Sequence, residues 1–259
     1  MKKPLSVFAI ILSAAILNAF AVDYTKDKKV KKDKKKNTEI NTLTEKEKTE
    51  GWQLLFDGKT VEQWRGYNRD TFPTGGWEVI DGTIHCKASG KGEAGKGGDI
   101  ITIKKYKNFE LSLEWKISEG GNSGIFYLAQ EKQGQAIWKS APEMQILDNA
   151  KHPDAQKGNN GNRQAGSLYD LIPANPQNAK PAGEWNQIKI QVYQGSVTHY
   201  MNGAEVLEYH LWTDDWKQMC AKSKFKDFID FINTAEEGHI GLQDHGNDVW
   251  FRNIKIKEL

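Results

Sequence analysis

The sequence predicts an all-β protein folded as an antiparallel sandwich, with one or two short helices near residues 213–232. Three observations indicate this fold. Apolar and polar residues alternate along several short segments, which is the period of a half-buried strand. Two-residue turns that contain glycine separate some of these segments, and only one stretch spaces its apolar residues as a helix does. The 259 residues and the 10% aromatic content fit a single large globular domain.

The strand pattern is clearest in residues 109–117, Phe-Glu-Leu-Ser-Leu-Glu-Trp-Lys-Ile, where every apolar side chain falls on one face. Asp81-Gly82 and Asn202-Gly203 are favoured hairpin turns, and each lies between two such segments. Further strands are expected at residues 122–128, 143–147, 188–192, 239–243 and 249–256. The helical stretch is defined by the spacing of Trp216, Met219, Cys220, Phe228, Ile229 and Ile232.

The first 50 residues differ in composition from the rest. Lys2 and Lys3 precede an apolar run that ends in Ala19-Phe20-Ala21, the pattern of a secretory signal peptide and its cleavage site. The run is shorter than the roughly 20 residues of a transmembrane helix, so we expect residues 1–21 to be removed on export to the periplasm or the extracellular space. Residues 22–50 are rich in lysine and poor in apolar side chains, which predicts a disordered linker that adds nothing to the core.

The predicted domain, residues 51–259, has a charge that argues against nucleic acid as a partner. Residues 1–50 hold 12 Lys and 7 acidic residues, which leaves 24 basic and 27 acidic residues in the domain. A faintly acidic domain offers no basic face to a phosphate backbone. The glycine-rich residues 88–98 lack the Gly-Lys-Ser/Thr ending of a phosphate loop, so we expect a mobile loop and no nucleotide cofactor. Cys86 and Cys220 are expected to be buried free thiols rather than a disulfide.

The most informative segment for function is Glu143-Met-Gln145-Ile-Leu-Asp148. Strand alternation puts Glu143 and Gln145 on one face, and Asp148 joins them only if a bulge adds a residue. Two carboxylates and an amide on one concave face could transfer protons and orient a polyhydroxylated ligand. The alternative is an edge strand whose polar side chains face solvent.

Other polar residues stand out beside apolar strands. Asn122 and Ser123 open a buried strand, and Gln243 and His245 interrupt the penultimate one. His245 is a candidate base or metal ligand, or a histidine whose hydrogen bonds are satisfied within the core. We expect it to share one pocket with Glu143, Gln145 and Asp148.

The long polar connection at residues 148–181 holds further candidates, because loops of this length in compact domains are usually functional or disordered. Arg163 and Tyr169 could donate to sugar hydroxyls or could cap the loop itself. His152 and Asp154 are spaced to contact one metal ion, with Asp148 as a third candidate ligand, although such spacing is common by chance. A divalent metal ion is therefore left open as a cofactor.

Several segments, in order along the chain, resemble one known family. They are residues 51–58, 122–125, 141–148, 167–170, 184–186, 238–246 and 251–254. The set spans residues 51–259 and resembles the 3-keto-disaccharide hydrolase domain, also described as a 3-keto-glucoside 1,2-lyase/3-keto-2-hydroxyglucal hydratase. The resemblance implies a concanavalin A-like jelly roll and action on 3-keto sugars. Many members of that family carry an Arg shortly after Asn-Ser-Gly-Ile, near the place where this chain has Leu128.

The implied reaction uses the acidity that a C3 ketone gives to the C2 proton. A base removes that proton, the C1 substituent leaves, and the resulting 2-hydroxyglucal is hydrated at C1. We expect His245 or Glu143 as the base and Asp148 as an acid or metal ligand. The residues expected to bind substrate are Gln145, Asn122, Ser123, Arg163, Tyr169 and Gln243.

Two other functions stay open at this point. The segment from Glu143 to Asp148 is similar to the Glu-x-Asp-x-x-Glu strand of laminarinase-like glucanases, which share the jelly roll, but Gln145 replaces its central Asp. A conventional glycoside hydrolase would need the Glu143 and Asp148 carboxyl groups about 5–9.5 Å apart. The other function is a lectin-like carbohydrate-binding module, in which the concave face would carry aromatic and amide groups without converging acids and bases.

Overall fold

The computed structural model describes residues 39–89 and 96–259, which contain thirteen β-strands. In chain order they are β1 (Gln53–Leu54), β2 (Trp64–Gly66), β3 (Trp77–Ile80), β4 (Thr83–Cys86), β5 (Ile100–Thr102), β6 (Phe109–Ile117), β7 (Asn122–Ala129), β8 (Glu143–Leu147), β9 (Asn186–Tyr193), β10 (Ser196–Met201), β11 (Ala204–His210), β12 (His239–Leu242) and β13 (Val249–Glu258).

The strands form two antiparallel sheets, which confirms the predicted jelly-roll sandwich. The larger sheet has the order β11-β10-β9-β6-β13-β4-β3, and β1 pairs with β13 beside this path. The smaller sheet has the order β2-β5-β12-β7-β8, so β8 is an edge strand. Its outer edge is partly covered by the long loop, since Leu168 bridges Met144.

The core between the sheets follows from the alternation seen in the sequence. Along β6, Phe109, Leu111, Leu113, Trp115 and Ile117 are all buried, and the charged residues between them are only partly covered. The strands of the smaller sheet contribute Ile125 and Ile146 to the same apolar cluster. The Asp81-Gly82 and Asn202-Gly203 turns both have two consecutive positive φ angles, as two-residue hairpin turns of the predicted kind require.

Two short helices occupy the predicted region, α2 (Asp214–Ala221) and α3 (Ile229–Ile232). Thr213 caps α2 by accepting a hydrogen bond from Trp216 N–H. Trp216 and Cys220 are buried on one side of α2, and Phe231 of α3 stacks on the Trp216 ring. Both cysteines, Cys86 and Cys220, are free and buried, as the sequence predicted.

The prediction that residues 22–50 are a disordered linker is wrong for residues 39–50. A helix, α1 (Glu45–Thr49), begins with a capping box between Thr44 and Glu47. Asn41 is 6% exposed and pairs with a bulge in β13. Its N–H donates to Asn253 Oδ1 at 2.6 Å, and its Oδ1 accepts from Asn253 N–H at 2.8 Å. The lysine-rich composition predicted disorder, but a few hydrogen bonds with amide side chains are enough to order such a segment.

The predictions for residues 1–38 and for residues 90–95 lie outside the described residues. They concern the signal peptide at 1–21, most of the linker, and the centre of the glycine-rich loop. Within the described part of the chain, no helix combines the length and the apolar character needed to cross a bilayer.

Asn41→Ala is expected to destabilise the domain. The change removes the acceptor for Asn253 N–H and the donor to the Gly82 carbonyl, which lies 2.8 Å from Asn41 Nδ2. Two partly buried backbone groups then lose their partners, which costs about 2 kcal/mol and lowers Tm by roughly 4–8 °C. Thermal unfolding followed by circular dichroism measures the shift, with the exposed change Lys48→Ala as control. Equal melting temperatures for the two variants would show that the Asn41 contacts contribute nothing.

Candidate active site

A cavity of about 560 Å³ lies against the smaller sheet where β7 and β8 pair. Met144 and Ile146 belong to the core between the sheets, so Glu143 and Gln145 face away from it, toward the cavity. The volume is in the range of small-molecule sites. The predicted site residues that line it are Asn122, Glu143, Gln145, His152, Asp154, Arg163, Tyr169, Gln243 and His245.

A glycine on β7 creates the space for the Glu143 side chain. In the β7–β8 register, Gly124 lies opposite Gln145, and Phe126 lies opposite Glu143. A Cβ atom added at Gly124 would lie 2.1 Å from Glu143 Oε1 and 2.8 Å from its Cγ. The Glu143 side chain therefore occupies the place that any larger residue at position 124 would fill.

Glu143 sits in an environment that favours its neutral form. The residue is 6% exposed, and burial raises the pKa of its carboxyl group to about 8, with smaller contributions from Asp99 and Asp154. The Lys224 ammonium group acts in the opposite direction. At neutral pH the Glu143 carboxyl group therefore carries its proton most of the time, which suits a general acid better than a base.

Two imidazole rings lie beside each other in the same cavity. The His152 and His245 ring centroids are 6.4 Å apart in an edge-to-face arrangement. Asn122 Nδ2 donates to His245 Nε2 at 3.3 Å, so the neutral His245 ring carries its hydrogen on Nδ1. Asp154 N–H donates to His152 Nδ1 at 3.1 Å, which leaves the hydrogen of neutral His152 on Nε2. Burial, followed by the neighbouring His245, lowers the pKa of His152. The neutral form of His152 is therefore favoured at neutral pH.

Asp154 anchors the long loop through two of the predicted residues. Its Oδ2 accepts from the Tyr169 hydroxyl at 2.8 Å, and its Oδ1 accepts from Arg163 Nη1 at 3.1 Å. Arg163 Nε also donates to Asp170 Oδ1 at 2.6 Å. Of the two roles open for Arg163 and Tyr169, these contacts favour capping of the loop. Their rings and stems form the cavity wall, and their polar ends hold it in place.

The amides of Gln145 and Gln243 differ in what they contact. Gln145 Nε2 donates to the Arg163 carbonyl at 3.4 Å. Gln243 Oε1 is buried and accepts no hydrogen bond from any described residue. A buried acceptor without a donor costs free energy. Gln243 is therefore better placed than Gln145 to accept a hydrogen bond from a hydroxyl group of a bound sugar.

Asp148 and Ser123 do not join the other predicted residues in the cavity. Asp148 Oδ2 accepts from Gly120 N–H at 2.8 Å, and its Oδ1 accepts from Ala150 N–H at 3.0 Å. No bulge brings its carboxylate to the Glu143 face, so the prediction that Asp148 shares the pocket is wrong. The Ser123 hydroxyl donates to the Gln243 carbonyl at 2.9 Å and is fully buried. Through these hydrogen bonds to backbone groups, both side chains stabilise strands and turns.

The candidate metal ligands have other partners. Two backbone N–H groups donate hydrogen bonds to the Asp148 carboxylate, and Arg163 and Tyr169 donate to the Asp154 carboxylate. His152 Nδ1 accepts the Asp154 N–H. Residues 39–89 and 96–259 contain no group of three or more His, Cys, Asp or Glu side chains arranged for a metal ion. The three candidate residues therefore do not fit the divalent metal ion that the sequence left open.

Sequence reasoning missed several residues that line the cavity, among them Trp138, Lys224 and Asn247. Lys224 Nζ lies 4.1 Å from the Tyr169 ring centroid and 5.2 Å from that of Trp138. Asn247 Oδ1 accepts from Asn122 N–H at 3.1 Å. Lys224 follows α2 among other lysines, and nothing in its spacing separates it from a solvated surface residue. Only the tertiary fold brings it to Glu143.

The chain is similar to a known family and to several proteins of known structure or name. Residues 51–257 match the family described as the 3-keto-alpha-glucoside-1,2-lyase-like domain. A Bacteroides thetaiotaomicron protein named 3-keto-disaccharide hydrolase is 50% identical over an alignment of 262 residues, which covers 93% of this chain and 88% of that protein. A Parabacteroides distasonis structure named as a putative glycosyl hydrolase is 33% identical, with a TM-score of 0.75 over 85% of this chain and 100% of that one. A second from the same organism is 26% identical, with a TM-score of 0.63 over 80% of this chain and 99% of that one.

The Glu143 carboxyl group is expected to titrate near pH 8, and Lys224→Met should raise its pKa further, because a nearby positive charge is lost. NMR of protein with carbon-13 in its glutamate carboxyl groups measures this, and Glu143→Gln identifies the signal. The stability consequence has a definite sign. A raised pKa in the folded state gives stability that is complete below the unfolded pKa of about 4.3 and is lost as pH rises to about 8. A Glu143 signal that titrates near 4 would contradict the assignment.

Proposed function

Because the chain belongs to the 3-keto-alpha-glucoside-1,2-lyase-like family, we propose that it cleaves 3-keto-glycosides by elimination and hydration. The family match and the 50% identical 3-keto-disaccharide hydrolase support a hydrolase that acts on carbohydrate. One observation of the site carries the finer proposal. His245 and a carboxyl group that favours its protonated form, Glu143, line the same cavity, so a base and an acid are available to one substrate.

The first step is removal of the C2 proton by His245. The ketone at C3 delocalises the electron pair left at C2, which makes this proton acidic enough for an imidazole base. The lone pair that takes the proton is on Nε2, where it accepts the 3.3 Å hydrogen bond from Asn122 Nδ2, so a bound substrate has to displace this contact. We assign the base to His245 rather than Glu143, because the raised pKa of Glu143 leaves little carboxylate at neutral pH.

The second step is loss of the C1 substituent as Glu143 donates its proton to the leaving oxygen. This role replaces the one expected for Asp148, whose carboxylate is held by two backbone N–H groups. Water then adds at C1 of the 2-hydroxyglucal, and C2 regains a proton. The net reaction consumes one water and releases the 3-keto sugar and the second sugar.

Direct glycoside hydrolysis fits the site less well. A retaining or inverting glycosidase needs two carboxyl groups on opposite sides of the scissile bond. Glu143 lines the cavity, but Asp148 does not, and Asp154 is engaged by Arg163 and Tyr169. The remaining ionisable groups, His245 and Glu143 among them, suit proton transfer at a carbon whose proton a neighbouring ketone has already made acidic.

Export remains part of the proposal. The basic start and apolar run before Ala21 support cleavage by signal peptidase, which would place the enzyme in the periplasm or the extracellular space without a membrane span. N-terminal sequencing of protein recovered from the cell envelope is expected to begin at Val22. A mature chain that begins at Met1 would contradict export by this route.

His245→Ala and Glu143→Gln are each expected to lower turnover of 3-keto-trehalose by at least about 10²-fold, the usual effect of losing a general base or acid. Unoxidised trehalose should not be cleaved by any form, because its C2 proton is not acidic. Release of sugar is followed by chromatography, with and without EDTA. We expect EDTA to leave the rate unchanged, since the candidate metal ligands have protein partners.

Glu208→Gln is the matched control for Glu143→Gln, because Glu208 is an exposed strand residue. It should retain full activity, and all variants should melt within a few degrees of the natural protein. Cleavage of trehalose at a comparable rate would favour a conventional glycosidase. Binding of 3-keto-trehalose without any turnover would favour a carbohydrate-binding module.

A further inference from the structure

Lys224 holds a position in the cavity that general acid–base chemistry does not require. It lies between α2 and α3, and its N–H donates to Asp170 Oδ2 at 3.2 Å. Asp170 also accepts from Arg163, so the segment that carries Lys224 is tied to the long loop. This tie sets the amine end of Lys224 against the Tyr169 ring, at 4.1 Å from Nζ to the centroid.

The amine end of Lys224 lies among aromatic rings and charged groups. Although the residue as a whole is exposed, Nζ contacts the faces of Tyr169 and Trp138. The acids on the neighbouring loop, Asp154 and Asp170, pair with Arg163. Burial lowers the pKa of Lys224, and the Arg163 charge adds to this, while Glu143, Asp170 and Asp154 oppose it. A lysine that is desolvated against aromatic rings is the type that forms imines with carbonyl groups.

Glu143 lines the same cavity as Lys224, and each group influences the pKa of the other. A neutral amine with a neutral carboxyl group, and an ammonium with a carboxylate, hold the same number of protons. Burial raises the pKa of Glu143 and lowers the pKa of Lys224, so both shifts increase the share of the neutral pair at the expense of the ion pair. In the neutral pair the amine is a nucleophile, and the carboxyl group can protonate the oxygen that must leave during imine formation.

We propose that Lys224 forms a covalent imine with the C3 ketone of the substrate, an inference that rests on the proposed function and deepens it. The Nζ lone pair attacks C3, and the C3 oxygen leaves as water with protons from the amine and from Glu143. The product is an iminium ion, C3=N⁺H–Lys224. Its positive charge withdraws electrons from C2 more strongly than a ketone does, so the C2 proton is removed more easily.

The later steps balance without any redox partner. His245 takes the C2 proton, and the electron pair forms the C2=C3 bond of an enamine. The nitrogen lone pair then restores the C3=N bond, the C2=C3 pair forms a C1=C2 bond, and the bond from C1 to the leaving oxygen breaks. The leaving sugar takes the proton that His245 removed from C2. Water adds at C1, C2 regains a proton, and a second water cleaves the C3=N bond. One water is released and two are consumed, so the net reaction is hydrolysis.

Reductive trapping of the full chain tests this proposal. The protein is incubated with 3-keto-trehalose and sodium cyanoborohydride, which converts an iminium ion into a stable secondary amine. Activity should be lost only when substrate and reductant are both present. Mass spectrometry of peptides should locate one sugar adduct at Lys224. Incubation with unoxidised trehalose and with glucose controls for nonspecific modification of lysines.

Two variants separate imine formation from a purely electrostatic role. Lys224→Arg keeps the positive charge but cannot form an imine, so we expect no adduct and a loss of turnover of at least about 10²-fold. Lys226→Arg, at an exposed lysine two residues away, should behave as the natural protein does. Turnover by the natural protein without a Lys224 adduct, or Lys224→Arg within tenfold of natural activity, would overturn the imine and leave the proposed function intact. Absence of any turnover of 3-keto-trehalose would overturn both.

Discussion

The pairing of β8 with β7 across Gly124 is the constraint on which the site depends. Because Gly124 has no side chain, the Glu143 carboxyl group can lie against the smaller sheet. Burial there raises the pKa of Glu143 and converts an ordinary acid into a proton donor at neutral pH. A larger residue at position 124 would displace Glu143, and the cavity would lose the carboxyl group proposed to protonate the leaving oxygen or, in the imine route, the C3 oxygen.

The long loop from residue 148 to 181 supplies the other half of the site. Asp154 binds Arg163 and Tyr169, and Arg163 in turn binds Asp170, which accepts the backbone N–H of Lys224. These contacts fix an aromatic wall beside Glu143 without using its carboxyl group. The sheet therefore positions the acid, and the loop positions the lysine and one imidazole.

Local patterns predicted the strands, the hairpin turns and the shared face of Glu143 and Gln145, because each depends on neighbours in the chain. Asp148 was assigned wrongly, since its position depends on backbone N–H groups that no pattern reveals. Lys224 was missed for a related reason. Its contacts with Tyr169 and Trp138 come from residues more than 50 positions away, and its own segment has the composition of a solvated lysine cluster. Ordered residues 39–50 likewise depend on Asn253, at the far end of the chain.

The most direct test of elimination is cleavage of 3-keto-trehalose in deuterium oxide, with early product analysed by mass spectrometry and NMR. Elimination and hydration remove the C2 hydrogen and return one from solvent, so the account predicts deuterium at C2 of the released 3-keto sugar, beyond what the free product exchanges without enzyme. An imidazole that is partly exposed to solvent, as His245 is, exchanges its proton readily, so retention of the original hydrogen is not expected. Complete cleavage with hydrogen alone at C2 would contradict the account.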